Sequence, residues 1–312
     1  MRHALAFSGV SKRYGRNGIR ALDEMSFSVP QGSICGFIGP NGAGKTTTFS
    51  VVSGYLKPDE GEINVLGQAG FDPFALKGRL QVLPQDAELG TQHTPRELVA
   101  HLARLGGLGR REALEAAEKT LRDMRLEDRM NARIGTLSHG MRRRVAVATA
   151  LVGRPELVLL DEPTAGLDPV QAQSLREVIS RSRGTRTMVI SSHNLDELER
   201  ICDWVVMVDA GRCVRQGTVA EVTGRQSHVT WVLGPGHVPL EAIRQEMPHH
   251  RFSLEERTLH ETIRAEGDAD ASSIRIAALL AEHGVAIREV RRGQSLQQTF
   301  LNDARDLPGT QR

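Results

Sequence analysis

The chain has 312 residues, which suggests about two domains, and its 40 lysine and arginine residues nearly balance its 38 aspartate and glutamate residues. A net charge of +2 gives no electrostatic case for a polyanionic partner, and an aromatic content of 4% is too low for a basic surface on which bases stack. We therefore expect no binding of nucleic acid.

Cysteine usage and hydropathy bear on where the chain works. The three cysteines are odd in number and lack CxxC spacing, which is typical of reduced thiols in a cytosolic protein. No apolar stretch reaches the roughly 18 residues that a membrane span needs. The first residues, MRHALAFSGVSKRYG, lack the apolar region of a signal peptide. These features predict a cytoplasmic chain, so that any channel it serves would be another polypeptide.

In chain order, strand-like segments at residues 4–10 and 25–29 precede a short apolar segment at residues 34–38, which predicts a buried strand. The sequence GPNGAGKTT follows directly at residues 39–47 and fits G-x-x-x-x-G-K-[ST], with a helix opening at Lys45. In such a loop several backbone N–H groups and the helix N-terminus point at one anion. The alternative, a chance glycine-rich turn, is disfavoured because the strand, loop and helix signals agree.

This loop predicts binding of a nucleoside triphosphate. Lys45 would reach the β- and γ-phosphates, and the Thr46 hydroxyl would ligate Mg²⁺. The residues predicted to contact ATP here are Gly39, Pro40, Asn41, Gly42, Ala43, Gly44, Lys45, Thr46 and Thr47.

The middle of the chain changes from strand to helix spacing. A strand is predicted at residues 62–66, and residues 94–126 show helical spacing of apolar side chains, with Thr94 and Pro95 as a helix cap and first turn. Three consecutive arginines, residues 142–144, follow the sequence LSHGM. We interpret this run as a solvated helix face and not as a nucleic-acid patch.

Residues 157–162 read LVLLDE, an apolar run that ends in two carboxylates. Such a run is typical of a strand buried on both faces of a parallel sheet. Asp161 at its tip would hold Mg²⁺, and Glu162 would orient or deprotonate the attacking water. The alternative is an ordinary strand followed by a solvated acidic turn. Beside a phosphate loop, ATP hydrolysis is the stronger prediction.

Strands and helices then alternate up to residue 202, which favours an α/β fold with a parallel sheet and helices on its faces. Residues 204–208 and 212–216 predict a hairpin. After Gly224 the predicted order is strand, helix, two strands, helix, strand, which is compatible with a ferredoxin-like domain. The histidines of this region lack metal-like spacing. A regulatory domain and a passive, dimer-stabilising one both remain open.

Further short motifs stand in a fixed order: Tyr14 in SKRYG, Gln85 after a strand-like segment, LSHGM at residues 137–141, AGLD at residues 165–168, and His193 after another strand-like segment. With the phosphate loop and LVLLDE, they make the chain resemble the ATP-binding subunit of ABC transporters over residues 4–223. One such motif would be weak evidence, whereas all of them in family order are specific.

The resemblance implies a role for each matching residue. Tyr14 would stack on adenine, and Gln85 would contact the metal and the attacking water while sensing the membrane partner. Ser138 and Gly140 would close over the γ-phosphate of the opposite subunit. The implied catalytic residues are Glu162, His193 and Gln85. The implied Mg²⁺ ligands are Thr46, Gln85 and Asp161.

The implied fold is an α/β P-loop NTPase core of ABC type over residues 1–224, with a parallel-sheet ATP-binding core, an antiparallel β subdomain and a helical subdomain at about residues 87–152. The strand and helix order after Gly224 predicts a small α+β domain at residues 225–303, and the polar end of the chain predicts a disordered tail at residues 304–312. The implied partners are an integral membrane permease and a second ATPase subunit, in a homodimer or a heterodimer. The chain would lie peripherally on the inner face of the cell membrane.

The sequence SLQQTFL at residues 295–301 resembles the element that closes many ATP-binding subunits of type-2 exporters, which favours export over import. Two other functions stay open at this point. One is a non-transport ABC-type ATPase that acts on ribosomes, DNA or an assembly. The other is a scaffold that binds ATP without turnover.

The signature motif departs from its usual LSGGQ form. His139 stands at the first glycine and Met141 at the glutamine, while Ser138 and Gly140 are retained. We expect His139 to point outward without a catalytic role.

Overall fold

The computed structural model describes residues 2–15, 18–70, 72–224, 228–263 and 269–306. The chain forms two compact units, residues 1–216 and 217–312. The sequence places the change at residue 224, whereas the structure divides the chain at Gly217. The short helix after this point is joined to the second unit, because Gln294 N–H donates to the Thr223 carbonyl at 2.8 Å.

Strands and helices alternate through most of the first unit. In chain order they are β1 His3–Arg13, β2 Arg20–Pro30, β3 Ile34–Ile38, α1 Lys45–Val52, β4 Glu60–Val65, β5 Gln68–Ala69, β6 Leu80–Leu83, α2 Pro95–Leu105, α3 Arg110–Asp123, α4 His139–Leu151, β7 Leu157–Asp161, α5 Pro169–Ser180, β8 Thr187–Ser191, α6 Leu195–Ile201, β9 Trp204–Asp209 and β10 Arg212–Thr218.

A six-stranded sheet in the order β10-β9-β3-β8-β7-β6 forms the centre of this unit. The pairs β9–β3, β3–β8, β8–β7 and β7–β6 are parallel. Every residue of β3, β7 and β8 is buried, as expected for strands covered on both faces. Because parallel strands end at one edge, the segments after β3, β6, β7 and β8 meet there, and ligands bind at this edge in open α/β sheets.

A second sheet, with the order β2-β1-β4-β5 and antiparallel pairing, packs against the first. A chain of phenylalanine rings links the two layers. Phe7 stacks on Phe27 at 4.7 Å between centroids, Phe27 lies 5.4 Å from Phe37, and Phe37 lies 6.0 Å from Phe49. These rings belong to β1, β2, β3 and α1, so aromatic packing fixes the helix that follows the phosphate loop.

Helices α2, α3 and α4 pack on one another and form the helical subdomain. Helix α2 begins as predicted. The Thr94 hydroxyl accepts a hydrogen bond from Glu97 N–H at 3.2 Å, and the Glu97 carboxylate accepts one from Thr94 N–H at 2.9 Å. This capping box satisfies two backbone donors of the first turn.

The second unit has a strand and helix order that the sequence also predicts. It contains α7 Val219–Val222, β11 His228–Leu233, α8 Leu240–Glu246, β12 Arg251–Glu255, β13 Thr258–Thr262, α9 Ala269–Glu282, β14 Ile287–Arg292 and α10 Leu296–Asp306. The sheet order is β12-β13-β11-β14 with antiparallel neighbours. This βαββαβ arrangement is the split βαβ, ferredoxin-like topology.

The end of the chain differs from the expected tail. Helix α10 begins within the SLQQTFL sequence and runs to Asp306, three residues into the segment predicted as disordered. The remainder of that segment, residues 307–312, lies outside the described residues.

Candidate nucleotide-binding and hydrolysis site

An open cleft of about 930 Å³ lies at the carboxyl edge of the parallel sheet. It brings together five segments that are distant in sequence, and its volume is in the range of small-molecule sites. The cleft is lined by Tyr14, Gly18, Ile19, Ala21, Asn41, Gly42, Gly44, Lys45, Thr46, Thr47, Gln85, Asp161, Glu162, Ala165 and His193. Eleven of these residues are sequence-predicted site residues.

The phosphate loop connects β3 to α1. Gly44 has a φ of 99°, and a Cβ atom built there would lie 2.7 Å from the Ala21 carbonyl oxygen, so this position requires glycine. Lys45 Nζ donates to the carbonyl oxygens of Gly39 at 2.7 Å and Pro40 at 3.0 Å. Gly39, Pro40 and the buried Ala43 thus shape the loop without lining the cleft.

Two effects act in opposite directions on the pKa of Lys45. Burial lowers the pKa of its ammonium group, while the carboxylates of Glu162 and Asp161 act in the other direction. The cation therefore lies partly desolvated between two acidic groups. Such a cation interacts more strongly with a polyanionic ligand than a fully hydrated one would.

Tyr14 also lines the cleft. Its side chain is half-exposed, at 49% for the residue, and its hydroxyl lies 3.3 Å from Thr47 Oγ1. The hydroxyl is thus tied to the phosphate-loop helix while part of the side chain stays open to the cleft.

Asp161 is held at the end of β7 by the next strand. The Ser191 hydroxyl donates to Asp161 Oδ1, and the carboxylate is buried. Thr46, Gln85 and Asp161 all line the cleft. Hydroxyl, amide and carboxylate oxygens are the hard ligands that Mg²⁺ prefers, together with substrate phosphates. The donor set therefore fits one magnesium ion.

Glu162 and His193 form a close pair at the edge of the cleft. Glu162 Oε2 lies 2.8 Å from His193 Nδ1, and the side chains are 11% and 80% exposed. Glu162 has a φ of 48°, which is uncommon for a residue other than glycine. Its N–H donates to the Ser191 hydroxyl at 3.1 Å and to the Ser191 carbonyl at 3.2 Å. A buried carboxylate is thus fixed next to an imidazole that reaches solvent.

Ser138 and Gly140, the residues retained from the signature motif, lie outside the cleft. Ser138 caps α4, where its hydroxyl accepts a hydrogen bond from Met141 N–H at 3.3 Å. Gly140 is buried, and a Cβ atom built there would lie 1.8 Å from Gln171 Oε1. Neither residue lines the cleft. The helix cap exposes backbone donors at its N-terminus, which favours an anion there.

His139 is exposed and lies against the loop that carries the AGLD sequence. A Cβ atom built on Gly166 would come within 2.6 Å of the His139 ring, so the imidazole covers this glycine. The expectation that His139 is exposed is thus met, and its role stays a prediction.

The prediction of a solvated arginine face is wrong. Arg142, Arg143 and Arg144 are all half-buried and donate to backbone carbonyl oxygens. Successive helix residues are 100° apart, so three consecutive side chains span more of the helix circumference than one solvent face. This geometry could have shown that at least one arginine turns inward. Arg143 donates to the carbonyls of Asp161 and Glu162 and was not among the predicted site residues.

Ser191 is a second residue that sequence reasoning missed. It contacts Asp161 at the end of β7 and Glu162 directly after it, yet a serine at a strand end carries no distinctive signal. Only the pairing of β7 with β8, in which Asp161 faces Ser191, brings these residues together.

Comparison with known proteins identifies the family. The family model described as "ABC transporter" matches residues 22–165. The linearmycin resistance ATP-binding protein LnrL of Bacillus subtilis is 31% identical over 96% of this chain and 97% of its own length. The chain belongs to the ATP-binding subunits of ABC transporters. This subunit is an ABC-type ATPase.

Other relatives extend the comparison. The Nod factor export ATP-binding protein I of Rhizobium etli is 36% identical over 69% of this chain and 68% of its own length. The chain spans 12% of a longer relative, the ABC transporter ced-7 of Caenorhabditis elegans. A dimeric post-hydrolysis structure of an ATP-binding cassette with ADP and phosphate shares the fold, with a TM-score of 0.63 and 23% identity over 69% of this chain and 98% of that one.

Over the part of the chain that the structure describes, no helix combines the length and apolar character required to cross a membrane.

Proposed function

We propose that this subunit hydrolyses ATP at composite sites between two copies and thereby powers a separate membrane permease in an exporter. The arrangement of the cleft carries this proposal. The phosphate loop and the Glu162–His193 pair line one cleft, whereas Ser138 and Gly140 lie outside it. A second copy facing head to tail would bring its own Ser138 to this cleft.

Binding would begin at the phosphate loop. Lys45 would leave the carbonyl oxygens of Gly39 and Pro40 and turn to the β- and γ-phosphates, since a polyanion is a stronger partner than two neutral acceptors. The N–H groups between Asn41 and Thr47 would surround the phosphates, and the Tyr14 ring would stack on adenine.

Hydrolysis would depend on the pair at the sheet edge. Glu162 would orient or deprotonate the water, and general-base help of this kind is typically worth about 10²–10⁴-fold. His193 would hold the Glu162 carboxylate in place through the 2.8 Å contact and donate toward the γ-phosphate. Gln85, whose side chain lines the same cleft, would contact the water.

Thr46, Gln85 and Asp161 would hold Mg²⁺. The ion, when bound, neutralises charge that develops on the transferred phosphoryl group.

Export is favoured by two observations. LnrL and the Nod factor subunit, two relatives of this chain, are named for resistance and export. The SLQQTFL sequence begins the last helix, as in the type-2 exporter group that the sequence resembles. In this proposal residues 1–224 form the ATPase domain and residues 225–303 an accessory domain. The subunit works on the inner face of the cell membrane, with a permease and a second ATPase subunit as partners.

The variant Glu162→Gln tests the composite site. It keeps the size of the side chain and removes the base, so ATP and Mg²⁺ should trap a dimer that light scattering detects. The double variant Lys45→Ala/Glu162→Gln should stay monomeric because its phosphate loop lacks the cation. A Glu162→Gln variant that stays monomeric with saturating ATP would rule out the composite site.

The same variant tests the transport role. After capture from detergent-solubilised membranes with ATP and Mg²⁺, a stoichiometric protein with several membrane spans is expected to copurify. Recovery of the chain with ribosomes or nucleic acid would instead indicate a non-transport ATPase.

A further inference from the structure

One arginine side chain donates to four backbone carbonyl oxygens at the ends of two strands. Arg143 Nη1 donates to the Gln85 carbonyl at 2.9 Å, and Nη2 donates to the carbonyls of Asp161 at 2.8 Å and Glu162 at 2.6 Å. Nε donates to the Pro163 carbonyl at 3.2 Å. Arg143 lies on α4, so a single side chain links the helix that bears the signature to two of the five segments that line the cleft.

These carbonyls need partners from outside the sheet. Strand β6 ends at Leu83 and β7 at Asp161, so the carbonyl groups beyond them have left the parallel ladder. A buried acceptor that loses its partner destabilises the fold, because it is removed from water without compensation. The planar fork of an arginine can serve several acceptors at once, whereas a lysine presents one compact ammonium group.

The backbone of Glu162 depends on such support. Its φ of 48° lies in the left-handed region, where a non-glycine residue is strained and persists only when its surroundings hold it. The Glu162 N–H donates to the Ser191 hydroxyl, which holds the peptide group before Glu162. The Glu162 carbonyl accepts from Arg143, which holds the peptide group after it. These two contacts fix the backbone from which the Glu162 side chain extends toward His193.

Electrostatics add to the geometry. Burial lowers the pKa of Arg143, while the carboxylates of Asp161, Glu162 and Asp86 act in the opposite direction. An arginine stays charged in proteins, so a fixed cation lies beneath the acidic end of β7.

We propose that Arg143 is a positioning residue for ATP hydrolysis, which sets the backbone of Glu162 and of the Gln85 segment and ties both to helix α4. It does not line the cleft. This inference rests on the proposed role of Glu162 in activating water. A movement of α4 on contact with the opposite subunit would thus reach both segments through one guanidinium group.

The test is Arg143→Lys with Arg186→Lys as the matched control. Arg186 is also half-buried, burial lowers its pKa as well, and it donates to the Leu151 carbonyl at 3.0 Å, outside the nucleotide cleft. Arg143→Lys should lower kcat about 100-fold, since misplacement of a catalytic group by about 1 Å has an effect of this size. The KM for ATP and the affinity for a fluorescent ATP analogue should stay within about threefold, because the phosphate loop is unchanged.

Arg186→Lys should keep kcat within about twofold. The proposal is overturned if Arg143→Lys retains the kcat of the control. It is equally overturned if Arg143→Lys and Arg143→Gln both lose ATP binding, because a positioning role leaves binding intact.

Glu162→Gln in the same series separates this inference from the proposed function. If Glu162→Gln hydrolyses ATP at the normal rate, the role of Glu162 is wrong. If Glu162→Gln is inactive while Arg143→Lys is fully active, only the positioning role of Arg143 is wrong.

Discussion

Each unit of this chain buries a glutamate beside a histidine, and the two pairs differ in what else they face. In the first unit Glu162 lies 2.8 Å from His193, and both side chains line an open cleft. In the second unit Glu261 lies 2.7 Å from His250, and the two side chains are 0% and 8% exposed. The other oxygen of Glu261 accepts a hydrogen bond from Trp231 Nε1 at 3.4 Å.

The two glutamate–histidine pairs thus differ in their surroundings and in the role that we expect for each. The Glu261–His250 pair has its partners inside the core of the second unit, which contains Trp231, Phe252 and Leu259. A buried pair of this kind satisfies its own hydrogen bonds and contributes to a defined packing arrangement. The Glu162–His193 pair has an exposed imidazole and room beside it for a reactant. Access to solvent, and not burial alone, marks the pair that can perform chemistry.

The largest expected effect concerns the cleft itself. Lys45→Ala should abolish measurable ATP binding, because it removes the cation that faces two phosphates. Titration with a fluorescent ATP analogue measures this loss. Lys77→Ala, on an exposed lysine that does not line the cleft, should bind as the unchanged protein does. Unchanged affinity in Lys45→Ala would move the nucleotide site away from this loop.

Glu162→Gln should lower the rate of phosphate release by about 10²–10⁴-fold while ATP still binds. Its thermal unfolding should change little, since the substitution keeps the size of the side chain. Steady-state phosphate release and a melting curve measure the two properties. An active variant would show that the exposed Glu–His pair is as structural as the buried one.

Glu261→Gln should have the opposite profile. Loss of the charge-assisted contact with His250 should lower the stability of the second unit by about 1–3 kcal/mol and leave ATP turnover within about twofold. Trp231 fluorescence during urea unfolding, in a Trp204→Phe background, reports on the second unit alone because the chain has 2 tryptophans. Glu241→Gln, on an exposed glutamate of α8, is the control. A large loss of turnover in Glu261→Gln would indicate that this unit regulates the ATPase.

The smallest effect on activity is expected for a substitution of His139 in the signature motif. His139→Gly should keep ATPase activity within a few-fold, because Ser138 and the backbone donors of α4 remain in place. Measurement of kcat on the purified variant is sufficient. A complete loss of activity would make the imidazole essential and add a second functional histidine to His193.

Much of the fold followed from local patterns. The strand predicted at residues 34–38 has the bounds that the structure shows, because a short apolar run with sharp polar limits leaves little freedom in where the strand begins and ends. The division between the units differs by several residues from the predicted one. Helix α7 looks like a continuation of the first unit in sequence, yet its Thr223 carbonyl is bonded to Gln294 of the second.

The residues of the candidate site could be predicted where they belong to a recognisable sequence motif. The spacing of residues in the phosphate loop predicts an anion-binding site, and the LVLLDE segment predicts two carboxylates at the end of a buried strand. The chain belongs to the family that these motifs indicate. Arg143 and Ser191 carry no such signal. The arginine run was misread because charge alone says nothing about which side of a helix faces the protein.

The sequence by itself determined which segments form strands and helices, that a phosphate-binding loop precedes α1, and that two carboxylates end β7. These properties depend on neighbours within about ten residues, where chain geometry is regular. Only the tertiary structure decided which glutamate faces a cleft, which arginine supports it, and that Ser191 contacts both the Asp161 carboxylate and the Glu162 N–H. These relations join residues 18 to 58 positions apart, as for Arg143 with Asp161 and Gln85. They depend on how the strands align in the sheet, which no single segment encodes.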